Sequence, residues 1–195
     1  MKLPEIHISL PDWVAGFLAE WPDILPDDES RMGLVIALAA ENVRRDLGGP
    51  FAAAVFDETG RLVAPGINRV VAANCSIFHA EILAIALAQK SVGRYDLSDG
   101  GRLSYDLFAT TEPCAMCFGA VPWSGVRRLI CGARSEDARA IGFDEGPKPA
   151  GWVSALAERG ITVLRDVARE EAVRVLRHYV AAGGPVYNAG TPASP

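Results

Sequence analysis

His79-Ala80-Glu81 and Pro113-Cys114-Ala115-Met116-Cys117 are the two stretches that decide how this chain of 195 residues is interpreted. One imidazole and two thiolates supply three of the four ligands that zinc takes in a tetrahedral site. A zinc ion with three protein ligands keeps one position open for water, as catalytic sites do and closed structural sites do not. Glu81 follows His79 by two residues, so its carboxylate can face the open position without binding the metal. The pattern predicts a catalytic Zn²⁺ site with the ligands His79, Cys114 and Cys117, and with Glu81 as the acid–base group.

Each half of this pattern, taken alone, has simpler explanations. A single C-x-x-C pair could be a redox couple, half of a structural zinc site, or two buried thiols. A structural site of four cysteines needs a second C-x-x-C, whereas the other cysteines, Cys75 and Cys131, are solitary and far apart. The two halves together therefore favour the catalytic site.

Both stretches are predicted to begin helices. Cys114 and Cys117 are three residues apart, which places them on one face of a helix, and Pro113 suits the first helical position. His79 precedes an apolar run at 82–88 that contains no helix breaker. Because the positive end of a helix dipole favours thiolates, two helix N-termini are expected to converge on the metal.

Composition limits the class of protein. The length suits one domain with a sizeable core, and no apolar run approaches the ~20 residues of a membrane helix. The formal net charge of −5 disfavours a nucleic-acid partner, which usually requires a basic surface. The N-terminus has no signal-peptide pattern, and free metal-binding cysteines suit a reducing compartment. We therefore expect a cytoplasmic protein with neither a membrane nor a nucleic-acid partner.

Strands alternate with helices along the chain, which predicts a layered α/β fold. Strands are expected at 51–56 and 61–64, as a hairpin, and at 105–110, 128–131 and 161–164. Helices are expected at about 27–46, 79–90, 114–123, 135–140, 152–159 and 168–182. A helical crossover between the last two strands favours a parallel pair. The expected architecture is a three-layer α/β/α sandwich around one mixed five-stranded sheet, antiparallel at the hairpin and parallel at the far end.

The joint pattern H-x-E…P-C-x-x-C resembles that of the cytidine-deaminase-like superfamily of zinc-dependent deaminases, and within it the chain is similar to bacterial guanine deaminases. The resemblance covers about residues 48–188. Besides the zinc motifs it rests on Gly49-Pro50-Phe51, Asn68, Gly119-Ala120-Val121-Pro122-Trp123 and Gly142-Phe143-Asp144-Glu145. It implies a cytidine-deaminase-like fold, a homodimer, and hydrolytic deamination of a free purine base, above all of guanine to xanthine and ammonia.

Other substrates remain open at this point. Cys75-Ser76-Ile77-Phe78 stands where guanine deaminases often have Asp-Pro-Thr-Ala, and the N-terminal extension is longer than in the smallest family members. Both differences leave room for an aminotriazine such as ammeline, or for cytosine. The zinc motifs suit a tRNA adenosine deaminase equally well, although the acidic charge argues against it. Outside the enzymes, a non-catalytic scaffold is the alternative, and retention of Glu81 argues against that.

The resemblance also implies the residues of a base-binding pocket. The amide of Asn68 offers a donor and an acceptor together, which suits a purine edge. Glu145 is expected to be a second catalytic carboxylate, because purine deamination moves one proton to the ring and another to the departing amine. The other expected substrate contacts are Ala80 and the flat side chains Phe51, Trp123, Phe143 and Tyr187.

Three segments are expected: an N-terminal extension at 1–26, the zinc-dependent deaminase domain at 27–182 and a tail at 183–195. The extension carries Trp13, Phe17, Leu18 and Trp21 at helical spacing, an apolar surface that this chain or a partner copy could bury. The tail begins with Gly183-Gly184 and continues to Tyr187 and Asn188. We expect it to act as a lid that excludes water from the active site.

Overall fold

The computed structural model of the chain describes residues 3, 5–45, 48–188 and 190. Along these residues the elements are α1 (Trp13–Leu18), α2 (Asp28–Arg44), β1 (Ala52–Asp57), β2 (Leu62–Ile67), α3 (Ala80–Val92), β3 (Tyr105–Thr111), α4 (Ala115–Ser124), β4 (Arg128–Ala133), α5 (Ser135–Ala140), α6 (Trp152–Ala157), β5 (Thr162–Leu164) and α7 (Arg169–Ala181). The predicted end of the second helix near residue 46, and the tail residues 189 and 191–195, lie outside the described residues.

The five strands form one sheet in the order β2-β1-β3-β4-β5. Strand β1 is antiparallel to both β2 and β3, whereas β4 is parallel to both β3 and β5. The predicted mixed sheet, antiparallel at the hairpin and parallel at the far end, is therefore confirmed. No helix among the described residues has the length and apolarity that crossing a membrane requires.

Alternating residues of the strands face two hydrophobic cores, because successive side chains of a strand point to opposite faces. On one face, Ala52, Ala54 and Phe56 of β1 pack with buried residues of α2 and α7. On the other face, Ala53 and Val55 pack with buried residues of α3, α4 and α6. Helices thus cover both faces, which confirms the predicted three-layer α/β/α sandwich.

Strand β2 extends beyond its predicted end at residue 64 and includes Pro65 and Gly66. Proline is tolerated here because β2 lies at the edge of the sheet. A Cβ atom on Gly66 would lie 2.1 Å from the carbonyl oxygen of Ala80. Glycine at this position therefore allows the start of α3, which carries the predicted site, to lie directly against the sheet.

The aromatic residues of the N-terminal extension pack on this chain itself. Trp13, Phe17 and Trp21 lie against the core that contains α2, and Trp13 and Phe17 meet edge to face at 6.1 Å. Of the two alternatives, burial by this chain or by a partner copy, the structure therefore shows the first for these residues. Their own core already buries much of that surface.

Candidate active site

The start of each of two helices carries the predicted metal ligands. His79 is the N-cap of α3 and Cys114 is the N-cap of α4, both with extended backbones. Cys117 follows in the first turn of α4. Pro113 precedes the N-cap, so the prediction that it occupies the first helical position is wrong. The extended conformation of Cys114 leaves Pro113 outside the helix.

The three predicted ligand side chains come together. The ligand atoms of His79, Cys114 and Cys117 all lie within 4.8 Å of one another, and His79 Nδ1 lies 3.5 Å from Cys114 Sγ. Hydrogen bonds from Cys117 and then from His79 lower the pKa of Cys114 to about 4, which favours the metal-binding thiolate. One nitrogen and two sulfur donors at this separation fit Zn²⁺ with a further coordination position.

A cavity of about 320 Å³ adjoins these ligands. It lies where β3 ends and where α3 and α4 begin, and both His79 and Cys114 line it. Cys117 is fully buried behind them. The ligand cluster therefore forms part of the wall of a cavity that can hold a small molecule.

Glu81 lines the same cavity from the first turn of α3 and is only 8% exposed. Burial raises the pKa of its carboxyl above the usual range. A carboxyl that binds a proton more readily than usual, beside a metal site, is the group that general acid–base catalysis requires.

Glu145 is a second buried carboxyl on the cavity wall. It is 5% exposed, and its Oε2 atom is buried without a hydrogen-bond partner among the described residues. Burial, and after it the negative charge of Cys114, raises the pKa of Glu145 to about 7. Its carbonyl oxygen accepts a hydrogen bond of 2.8 Å from the N–H of Ala115, next to the ligand Cys114. Two carboxyls with raised pKa values therefore share one cavity.

Aromatic rings form the apolar side of the cavity. Phe51, Phe143 and Tyr187 line it. Phe143 meets Phe51 edge to face at 4.9 Å and meets Tyr187 in the same way at 5.1 Å. Flat apolar walls beside a few polar groups suit a planar heterocyclic ligand.

Asn68 is 1% exposed and lines the cavity. Asn42, which is not among the predicted site residues, holds the backbone of Asn68 in place. The amide nitrogen of Asn42 donates to the carbonyl oxygens of Asn68, at 3.2 Å, and of Gly49, at 3.0 Å. An amide within the apolar sequence of α2 is a signal for such a role, although the sequence does not show which residues it contacts.

The tail of this chain lies over its own cavity. Tyr187 and Asn188 line the cavity. Asn188 accepts a hydrogen bond of 2.9 Å from the N–H of Asp144 and donates one of 2.8 Å to the carbonyl oxygen of Gly142. These bonds attach the tail to the loop that carries Glu145.

Two residues expected to contact the substrate do not line the cavity. Trp123 is 81% exposed near the end of α4, and Ala80 is buried between α3 and the sheet. The interpretation of both depended on the resemblance alone. Conversely, the residues that line the cavity include Ser76, Thr111 and Asp144, none of which is among the predicted substrate contacts.

Comparisons with known proteins agree with this geometry. The family model described as "Cytidine and deoxycytidylate deaminase zinc-binding region" matches residues 25–133. Guanine deaminase of Bacillus subtilis (strain 168) is 36% identical over 117 residues, which is 60% of this chain and 71% of that protein. Guanine deaminase from Nitrosomonas europaea, a solved structure, is 49% identical with a TM-score of 0.85, covering 91% of this chain and 97% of that chain. The structure of NE0047 in complex with 2,6-diaminopurine is 50% identical with a TM-score of 0.86, covering 95% of this chain and 97% of that chain.

Proposed function

Because the chain belongs to the zinc-binding cytidine and deoxycytidylate deaminase family, we propose that it hydrolytically deaminates a free purine base, converting guanine and water to xanthine and ammonia. One observation carries this proposal. A single cavity of about 320 Å³ is lined by two of the three metal-binding side chains, His79 and Cys114, together with two buried carboxyls and an aromatic wall. The similar proteins named above include guanine deaminases, and NE0047 binds 2,6-diaminopurine.

The shape and charge of the protein favour a free base over a larger substrate. The tail residues Tyr187 and Asn188 form part of the cavity wall, which limits the space available to a ribose or a polynucleotide. The net charge of −5 opposes the binding of a polyanion such as tRNA. A neutral planar base needs less space than a nucleoside and is not repelled by the negative charge of the protein.

In the proposed reaction, His79, Cys114 and Cys117 hold zinc, which when bound lowers the pKa of a water molecule to about 7 and so supplies a nucleophile at neutral pH. A carboxylate oxygen of Glu81 accepts the proton that leaves this water. Glu81 then delivers the proton to the ring nitrogen beside the amine-bearing carbon, and attack at that carbon is followed by departure of ammonia.

Glu145 is proposed to move the second proton, from the hydroxyl group added at the amine-bearing carbon to the departing amine, so that the C–N bond breaks as the carbonyl of the product forms. With a pKa of about 7, its carboxyl can both release and accept a proton near neutral pH, where general acid–base catalysis is most effective. Its unpaired Oε2 atom can bind the departing amine group. Asn68 is proposed to hold the polar edge of the base while Phe51, Phe143 and Tyr187 enclose its faces, which excludes bulk water.

We also propose that the tail acts as a lid in the same chain, and that the protein forms a homodimer. The lid is supported by the hydrogen bonds of Asn188 to the loop of Glu145. The dimer is supported by apolar surface on α4, where Trp123 and Met116 are 81% and 37% exposed. The free cysteines favour a reducing compartment such as the cytoplasm.

The experiment is a comparison of ammonia release from guanine, cytosine, ammeline, adenosine and a tRNA transcript by the zinc-loaded protein. We expect kcat/KM for guanine to exceed that for each alternative by at least about tenfold, equivalent to 1.4 kcal/mol of transition-state discrimination. Cys114→Ser, which removes one metal ligand, is the inactive control. A preference for adenosine, or for tRNA with binding that weakens steeply as salt increases, contradicts the proposal.

A further inference from the structure

We propose that Lys148 is a positioning residue, whose ammonium group holds the loop that carries Glu145 against the backbone that carries the metal ligand Cys114. The loop joins α5 to α6, and Glu145 and Lys148 lie in it three residues apart. The proposal deepens the proposed function, because it assigns the means by which the second carboxyl and the metal site keep their relative positions.

The contacts of Lys148 carry the proposal. Its Nζ atom donates hydrogen bonds of 2.8 Å to the carbonyl oxygen of Pro113 and of 2.7 Å to Ser135 Oγ. It lies 3.7 Å from Glu112 Oε2, with the two side chains 5% and 4% exposed, and 4.4 Å from the ring centre of Trp152. An ammonium group has three N–H donors, and these contacts give it two hydrogen-bond acceptors, a carboxylate and an aromatic face.

The loop holds the backbone on both sides of Cys114. On the side before Cys114, Lys148 Nζ bonds to the carbonyl oxygen of Pro113. On the side after Cys114, the N–H of Ala115 donates to the carbonyl oxygen of Glu145. The first bond depends on the lysine side chain and the second on the backbone alone, so a substitution at Lys148 breaks one attachment and leaves the other.

Neutralising Glu112 does not by itself explain a buried lysine. Glu112 already receives a hydrogen bond of 2.5 Å from Arg165 Nε and one of 3.1 Å from the N–H of Ser135. Burying a second cation is unfavourable unless it is hydrogen-bonded and paired. The bond from Lys148 to Pro113 is the contact that links this buried cation to the metal site.

The test compares Lys148→Met, which keeps the length of the side chain but loses charge and donors, with Lys148→Arg, which keeps both. Lys90→Met is the matched control, because Lys90 is exposed at the end of α3. For each zinc-loaded variant, the rate of zinc transfer to the chelator 4-(2-pyridylazo)resorcinol is measured, together with kcat and KM for guanine.

We expect Lys148→Met to release zinc about tenfold faster, because loss of a group that orients metal ligands typically weakens a site by 10–100-fold. We also expect its kcat to fall about tenfold or more while KM changes less than about threefold, because a misplaced carboxyl affects mainly the transition state. Lys148→Arg should lie closer to the wild type than Lys148→Met in both measurements, and Lys90→Met should match the wild type.

Zinc release from folded Lys148→Met at the wild-type rate overturns the proposal. So does a result in which Lys148→Met releases zinc no faster than Lys148→Arg, because the side chain would then only fill space. If the variants at Lys148 do not fold, Ser135→Ala decides, because it removes one acceptor of the ammonium group while the N–H of Ser135 still bonds Glu112. Unchanged zinc release in Ser135→Ala then overturns the proposal. Zinc release does not depend on the substrate, so a wild-type protein inactive on guanine refutes the proposed function without affecting this test.

Discussion

Gly49→Ala should detach the tail from the active site with little effect on the rest of the fold. A Cβ atom at this position would lie 1.9 Å from the hydroxyl oxygen of Tyr187 and 2.8 Å from its Cζ atom. Contact between heavy atoms is optimal at about 3.5–4.0 Å, so the tyrosine ring must leave its place. Gly49 does not have a positive φ, and alanine therefore introduces no backbone strain there.

The size of the effect follows from the contacts that Tyr187 loses. Its edge-to-face contact with Phe143 at 5.1 Å contributes about 0.5–1.5 kcal/mol. Replacing glycine by alanine at a compatible position increases the free energy of unfolding by about 0.4–1 kcal/mol, because it restricts the unfolded chain. These two contributions together change the free energy of unfolding by less than about 1 kcal/mol, and the apolar area that the displaced ring exposes lowers it by up to about 3 kcal/mol more. Loss of about 1–2 kcal/mol of contact with the base should raise KM for guanine about 5–30-fold.

The assay measures steady-state xanthine formation by the wild type, Gly49→Ala and Gly33→Ala, with thermal unfolding of each. Gly33 is the matched control because a Cβ atom there meets nothing within 4 Å, and its place in α2 predicts slightly higher stability with unchanged KM. Gly49→Ala with wild-type KM and kcat would show that Tyr187 does not enclose the substrate, and the lid would have to be abandoned.

Further predictions concern the second carboxyl, the metal, the amide that supports Asn68, and the surface of α4. Glu145→Gln should lower turnover by about 10²-fold or more. The pKa of this carboxyl is near 4.5 in the unfolded chain and about 7 in the folded protein, so the wild type loses stability as the pH rises between these values. The gain in stability of Glu145→Gln over the wild type should therefore be larger at pH 8 than at pH 5, and equal thermal midpoints of the two proteins at pH 8 would contradict this. Dialysis against dipicolinate should abolish turnover and stoichiometric Zn²⁺ should restore it, whereas activity that survives complete zinc removal, checked by metal analysis, would exclude the site described. Asn42→Ala should raise KM for guanine and lower stability by about 1–3 kcal/mol, because it leaves buried carbonyl groups unpaired; an unchanged KM would separate Asn42 from substrate binding. Trp123→Ala should weaken a dimer in sedimentation experiments without lowering the stability of the monomer, and an unchanged association constant would place the interface elsewhere.

The metal cluster could be predicted from the sequence because its geometry is local. Cys114 and Cys117 are placed by one helical turn, and His79 and Glu81 by the start of another. The sheet could be predicted because apolar residues recur in strands separated by helices. These features depend on spacing along a single element, which the sequence shows directly.

The supporting contacts could not be predicted because they join segments that are distant in the sequence. Lys148 contacts Pro113, and Asn188 contacts Gly142, through side chains on irregular segments that have no periodicity to interpret. Trp123 is the converse case: the resemblance suggested a stacking residue, and its position on α4 leaves the ring exposed and outside the cavity wall.

The most direct test of the central claim is the turnover of guanine by zinc-loaded wild type and Glu81→Gln, with zinc content measured on the same samples. The account predicts about one zinc per chain in both proteins, xanthine and ammonia in equal amounts from the wild type, and a loss of turnover of about 10²–10⁴-fold in the variant. A variant that binds zinc fully and still converts guanine at nearly the wild-type rate would contradict the account, because the proton would then move without the carboxyl that the structure places beside the metal ligands.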